Sequence, residues 1–439
     1  MVELVRPGRD SEEQQCSTTE GLLSSLFGID RALSGPGAAA FLGQIGTQTD
    51  LVVHRVPVGT PCFDWEVPPG WTLSHAKLST VGGERLLDAE QTILNSLIYG
   101  TGKRGHVSRA TLLEHLWTLP DLPHAIPYRT AYYARNWGFC ATHSLIAELE
   151  DPEYVVEIES EFVDSDLLIG ELRLEGTSGR EVVFTSYYCH PRQAHDGLSG
   201  VVTLLRLYEA LKGRPLRHTY RFFFWPETIG AIAAISEGII RPEITEYALV
   251  ATCLGAGDRF TYKKSILEDH AIDHVVEDVL NGWEGASAGA VRPYWPTGSD
   301  ERQLGSPSVR IPTGSIMRTP YAEFDEYHTS LDDLSFVTSA KIDEAVELYA
   351  TVVDAYESVR RFTAVVGGGE PFFQKRNLYL TRGGEAHGEL QVARNWIMQM
   401  SDGTRSTLEI AKRSGLPSDL IDREAGVLEK ADLLRESGK

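Results

Sequence analysis

Four side chains in three separate stretches carry the chemistry that this sequence offers: His190 and Asp196, Glu227, and His328. The first two belong to Cys189-His190-Pro191-Arg192-Gln193-Ala194-His195-Asp196-Gly197-Leu198-Ser199-Gly200. That stretch follows an apolar run and precedes a helical one, so its polar groups fall at the carboxyl end of a strand, where open α/β sheets place their ligands. A neutral imidazole and a carboxylate there suit a borderline-soft cation such as Zn²⁺. Taken alone, such a pair more often caps the next helix or bonds to itself.

Glu227, in Trp225-Pro226-Glu227-Thr228-Ile229-Gly230, ends the next apolar run and reaches the same sheet edge. There it could serve the helix dipole, worth about 0.3 to 1 kcal/mol. Beside a metal it could take a proton from bound water, as hydrolysis requires. Glu326-Tyr327-His328-Thr329-Ser330-Leu331-Asp332-Asp333 adds a second imidazole. Alone it is a capping segment with a surface His; with the other two stretches it gives three protein ligands and an open position, the arrangement of catalytic zinc. Asp300 and Arg302, in the polar run Gly298 to Gln303, are candidates for substrate binding, because a guanidinium meets a carboxylate in bidentate fashion; the plainer reading is a surface loop with an internal contact. His195 reads as a solvated turn residue and is left out of the metal set.

The elements that must position these groups are legible as alternating apolar and amphipathic runs. Glu181 to Tyr188, Tyr220 to Trp225 and Tyr247 to Cys253 read as buried strands, with helices at Leu198 to Leu211 and Ile229 to Gly238 and a long closing helix over Phe336 to Arg361. The pattern predicts an α/β unit with a mostly parallel sheet flanked by helices. Helical spacing over Thr18 to Leu42 is broken at Ser34-Gly35-Pro36-Gly37. Residues 51–126 have a β-rich texture with one helix at Ala110 to Leu119, and read as an insert dividing a domain made of 1–50 and 127–366. After Gly367-Gly368-Gly369, helices near Glu389 to Met400, Ser406 to Ser414 and Ser418 to Lys430 make 370–439 a winged-helix module. Its acids and bases nearly balance, which argues for packing or docking a partner and not for reading DNA.

The chain has 439 residues, with 41 Lys plus Arg against 62 Asp plus Glu. The resulting net charge of -21 disfavours nucleic acid and anionic membrane surfaces and favours amine-bearing ligands. Five dispersed cysteines without a C-x-x-C pair fit a reducing cytoplasm. Met1 to Gln15 lacks the apolar run of a secretory signal, and the longest apolar stretches fall far short of the roughly 20 residues of a membrane span.

The chain resembles a family of bacterial aminopeptidase-like proteins, often encoded with surface-polysaccharide or natural-product pathways. These carry an embedded domain of unknown function and a C-terminal winged helix, and belong to the clan of zinc aminopeptidases, carboxypeptidases and glutaminyl cyclases. The matching pieces are Val58-Gly59-Thr60-Pro61-Cys62-Phe63-Asp64-Trp65, Ile126-Pro127-Tyr128, Trp137-Gly138-Phe139-Cys140, Cys189-His190-Pro191, Pro226-Glu227-Thr228-Ile229-Gly230, Gly298-Ser299-Asp300-Glu301-Arg302-Gln303 and Glu326-Tyr327-His328-Thr329-Ser330. They run in order along nearly the whole chain.

The resemblance implies metal ligation by His190, Asp196 and His328, a general base at Glu227 and an oxyanion donor at Tyr327. Two positions depart from it. Dinuclear members place a second Glu where this chain has Thr228, and an Asp where it has Cys253, so one zinc per chain is expected, with Cys253 either a thiolate ligand or a buried strand residue. The expected activity is hydrolysis of an amide or peptide bond in a small amine-bearing molecule or short peptide, within a biosynthetic pathway; association with further copies of the chain is left open. The competing expectations are a single-zinc acyl transferase or cyclase resembling glutaminyl cyclase, and a degenerate scaffold that docks partners.

Overall fold

The computed structural model describes residues 18–283, 289–366, 368–379 and 388–437. Met1 to Gln15, Cys16 and Gly367 lie outside them. The large sheet has eight strands: β1 (Val52–Val56), β2 (Leu167–Leu174), β3 (Glu181–Tyr187), β4 (Thr219–Trp225), β5 (Thr245–Ala251), β6 (Thr261–Lys263), β7 (Ala290–Arg292) and β8 (Thr313–Met317), in the order β1-β2-β4-β3-β5-β8-β6-β7. Its centre, β4-β3-β5-β8, is parallel, while β1, β2 and β6 join antiparallel. Every residue of β3, β4 and β5 is buried, which explains why their sequences are near-continuous apolar runs and do not alternate. Helices α1 (Thr19–Phe27), α2 (Pro36–Gly46), α3 (Ser199–Leu211), α4 (Ile229–Ser236), α5 (Ala271–Gly282) and α6 (Ser339–Glu357) pack around it.

Because β3, β4 and β5 run in one direction, the segments leaving them at Tyr188, Pro226 and Thr252 emerge on one edge. Parallel pairing of neighbours therefore brings His190, Glu227 and Cys253 together, although they are far apart in sequence.

Two expected boundaries move. The insert is not 51–126: Val52–Val56 pairs with β2 at the edge of the large sheet. The insert's own sheet, in the order Arg85–Asp88, Gly70–Thr80, Glu153–Val163, Lys103–Ser108, takes its longest ladder from Glu153–Val163. A β-branched run states that a strand forms but not which sheet it joins, and Glu153–Val163 lay beyond the texture change that suggested the boundary. The helix expected over Ala110 to Leu119 is Arg109–Glu114, capped by Ser108 and followed by a short strand at Leu116–Trp117. The winged-helix unit starts before 370. Arg361–Ala364 pairs with both Asp402–Ser406 and Leu434–Glu436, and helices Glu389–Met400, Thr407–Ser414 and Ser418–Lys430 pack over a separate core.

This unit is pinned to the large sheet by ionic contacts. Glu246, at the start of β5 and buried, accepts from Arg180 Nε at 2.7 Å and from Arg361. Burial alone would raise its pKa, but the two guanidiniums hold it down to about 2. Lys412 Nζ meets Asp278 Oδ1 at 2.6 Å. A depressed carboxylate stabilises the fold fully above its unfolded value of 4.5 and loses that contribution as pH falls through about 2. The interval corresponds to about 3 kcal/mol. Glu246→Gln is expected to lower unfolding free energy at pH 7 by about 3 kcal/mol, with the gap to wild type closing between pH 4.5 and 2. Urea titrations across that window check it; a constant gap would contradict the assignment.

Candidate metal centre

His190 follows β3, Asp196 sits six residues on before α3, and His328 comes from the loop between β8 and α6. One ligand atom from each lies within 4.8 Å of the others. His328 Nε2 stands 2.9 Å from Asp196 Oδ2, yet both atoms are buried without a hydrogen-bond partner. Two orphaned acceptor-capable atoms facing one another, beside a third imidazole, are costly unless something shared fills the space. A divalent cation fits this donor set of two nitrogens and one oxygen. His190 is buried, which lowers its pKa to about 4 and keeps its imidazole neutral, the form that binds metal. Asp196, though buried, is held below the usual carboxylate range by His190, His328 and the hydroxyl of Tyr187, which donates to Oδ1.

The loops are locked by groups that the sequence did not flag as functional. Asp332 accepts from the backbone N–H groups of Ala194, His195 and Asp196 at 3.2, 2.6 and 2.9 Å. Tyr128 N–H donates to His328 O at 2.7 Å, and Ser330 N–H to Ile126 O at 2.8 Å. Gly197, which follows the carboxylate ligand, has φ of 85°, and a Cβ there would meet the Tyr187 ring and carbonyl at 3.0 Å; glycine alone serves this turn. Thr228, Cys253 and His328 also adopt left-handed backbone, with φ of 67°, 52° and 53°. Such strain concentrates where a site is over-determined by its surroundings.

Glu227 Oε2 lies 4.0 Å from His190 Nε2. Burial, then Asp300 and Asp196, push its pKa up to about 8, so its carboxyl holds a proton readily near neutrality. Its position depends on Asp300, which is fully buried behind it and accepts from Trp225 Nε1 at 2.8 Å and Thr228 N–H at 2.7 Å. Asp300 therefore cannot touch a substrate, against expectation: two buried donors needed a carboxylate there more than a surface loop did. Arg302, two residues on, does reach the cleft and donates to Thr228 Oγ1 at 3.4 Å.

The cleft has a volume of about 490 Å³. Two regions of the chain build it jointly: His190, Glu227, Arg302 and His328 from the segments at the sheet edge, and Trp65, Tyr99, Tyr128 and Tyr132 from the excursion between β1 and β2. Tyr128 sits over both imidazoles, with ring centres 5.2 Å from His190 and 5.1 Å from His328. Tyr327, expected as the oxyanion donor, is instead stacked flat on His328 at 3.9 Å and is not among the described residues of the cleft wall. Ile126-Pro127-Tyr128 and Val58 to Trp65 were noticed as motifs, but nothing in their residue types tells which side chains face a cleft formed between two units.

His195 is no ligand, as expected, but it is buried and not solvated: its Nδ1 accepts from Gly255 and Ala256 N–H, each at 3.1 Å. Cys253 is buried and takes a contact from Thr252 Oγ1 at 3.6 Å; burial pushes its thiol up strongly. Among the described residues only His190, Asp196 and His328 cluster as a metal-binding group.

A mixed α/β sheet with polar loops at the carboxyl ends of its central strands, and a His-Asp-His cluster there, defines an aminopeptidase-like protein. The chain belongs to the family described as a domain of unknown function, DUF4910, whose model matches residues 20–359, and a winged helix-turn-helix model matches 360–436. A Clostridium acetobutylicum protein, named for polysaccharide biosynthesis and an aminopeptidase-like domain, is 35% identical over 427 residues, covering 96% of this chain and 98% of its own. A crystal structure from the same species, described as a peptidase, is similar at TM-score 0.77 and 34% identity, with 97% of each chain covered. The zinc aminopeptidase of Bacillus subtilis shares the fold at TM-score 0.55 and 13% identity, over 77% of this chain and 94% of its own.

Asp300→Ala is expected to strand the Trp225 and Thr228 donors and free the turn that carries Glu227. Thermal unfolding should register a loss of about 2 to 5 kcal/mol. A loss below about 0.5 kcal/mol, the scale of an ordinary surface substitution, would show that Asp300 does not hold this turn.

Proposed function

We propose that this protein is a single-zinc hydrolase that cleaves an amide or peptide bond of a small molecule or short peptide, acting within polysaccharide biosynthesis. The observation that carries the reading is the convergence of His190, Asp196 and His328 with the Glu227 carboxylate at 4.0 Å from His190. The relative named for polysaccharide biosynthesis supports the setting, and the orphaned Asp196 and His328 atoms support the cation.

His190 and His328 would hold the ion through neutral nitrogens and Asp196 through Oδ2. When bound, zinc polarises a carbonyl and makes a water more acidic. Glu227 takes the proton of the attacking water and delivers it to the leaving nitrogen, a transfer suited to a carboxyl whose proton affinity lies near neutrality. Tyr128, which burial keeps protonated, donates to the developing oxyanion in place of Tyr327. A single ion is favoured because Asp196 Oδ1, which a second ion would need, already accepts from Tyr187. Thr228 and Cys253 offer weak ligands beside it. The buried free cysteines Cys62, Cys140, Cys189 and Cys253 support a reducing, cytoplasmic setting. No described helix is long and apolar enough to cross a membrane.

Glu227→Gln is expected to cut turnover on the order of 10²- to 10⁴-fold with zinc content unchanged, whereas His328→Ala should lose the zinc. Elemental analysis beside an amide-hydrolysis assay separates the two effects; full activity in Glu227→Gln would refute the base. Tyr128→Phe should slow turnover more than Tyr327→Phe, and the reverse order would restore the oxyanion role to Tyr327.

A further inference from the structure

The wall of the cleft is electrostatically unlike the rest of the molecule. Acids outnumber bases by 62 to 41 along the chain, yet Glu227 is the only carboxylate among the described lining residues, while Arg129 and Arg302 both line it. Most arginines of known environment here are tied to acids, as Arg221 is to Glu171 and Glu181, or Arg394 to Glu424. Among the described residues neither Arg129 nor Arg302 forms a close ion pair with a carboxylate; Arg302 donates to Thr228 Oγ1 at 3.4 Å, and its charge also acts on Glu227 and Asp300 from further off. The two come from different units, Arg129 from the segment that follows Tyr128 and Arg302 from the helix Glu301–Leu304. An ammonium group would find in this cleft a single carboxyl group, and that one is occupied with proton transfer.

We propose that Arg129 and Arg302 form an anion-recognition pair and that the substrate is an amide bearing a carboxylate near the scissile bond, packed against the aromatic wall of Trp65 and Tyr132. This assignment rests on the hydrolase reading for the word substrate, but the anion site stands or falls separately. Guanidinium groups present fixed donor forks that match a carboxylate, and charge-assisted bonds are about twice as strong as neutral ones. The amine preference suggested by the overall charge is a long-range property; the group that a ligand meets at contact is set by the wall.

The test compares three ligands of one shape on the full-length protein as purified: N-benzoylglycine, its neutral amide, and N-benzoylethylenediamine. Calorimetric titration is expected to show the acid binding roughly 10- to 100-fold more tightly than the amide, with the amine weakest. Arg129→Met and Arg302→Met should each collapse the acid-to-amide ratio, and Arg302→Glu should turn the preference toward the amine; melting curves confirm that these surface substitutions leave the fold intact. Binding of the acid to metal alone would survive all three substitutions, and that result overturns the pair. So does an equal affinity for acid and amide, or no binding of the acid at millimolar concentration. Glu227→Gln should keep the acid-to-amide ratio while turnover is lost. If the ratio holds but wild type hydrolyses none of the three probes and no member of a wider panel of N-acyl amino acids, the hydrolase reading fails and the anion site remains.

Discussion

Three backbone N–H groups in a row, those of Ala194, His195 and Asp196, converge on one buried carboxylate, Asp332. The geometry of the metal centre follows from this contact. It joins the loop that carries His190 and Asp196 to the loop that carries His328, and it does so at the backbone, so the ligand side chains are left free to point at a common centre. Without it, the His195 and Asp196 amides would be buried with no acceptor, each costing on the order of 1 to 3 kcal/mol, while Ala194 N–H would keep its bond to Asp332 O at 2.9 Å. A charged acceptor that satisfies all three is therefore strongly selected by the fold itself. The left-handed conformations at His328, Thr228 and Cys253 are tolerable because contacts of this kind leave those residues no alternative.

The same economy governs the second layer. Asp300 does for the turn of Glu227 what Asp332 does for the ligand loops: a buried carboxylate collects donors from Trp225 and Thr228 and thereby orients its neighbour. The backbone bonds from Tyr128 to His328 and from Ser330 to Ile126, beside an isolated bridge between Pro127 and Thr329, then fasten the segment Ile126-Pro127-Tyr128 to the site. The long excursion between β1 and β2 is thus part of the cleft, supplying Trp65, Tyr99, Tyr128 and Tyr132 to a wall that the large sheet could not build alone.

The central strands and the clustering of His190, Asp196 and His328 are legible in the sequence because each depends on local pattern: apolar runs buried on both faces, followed by a polar turn. His190, Asp196, Glu227 and His328 meet as their motifs implied, and the aminopeptidase-like fold with its winged helix is present. What was not legible depends on pairing at a distance. Val52–Val56 and Glu153–Val163 were assigned to the wrong side of the insert boundary because a strand's texture does not name its neighbour. Asp300 was taken for a substrate ligand because an acid in a polar run carries no mark of being buried under an indole. The resemblance points to Tyr327 as the oxyanion donor, but a motif does not show that its ring stacks on His328 while Tyr128 lies over both imidazoles.

Asp332 and His195 are separated by 137 residues of chain, and β8 must be in place before the loop bearing His328 can return. Closing so long a segment carries an entropic cost that local contacts cannot offset in advance. In chain order β3, β4 and β5 are available for pairing before the segment that carries His328 has been made. His190, Asp196 and Glu227 thus exist as a half-built cluster until His328 and Asp332 arrive to close it.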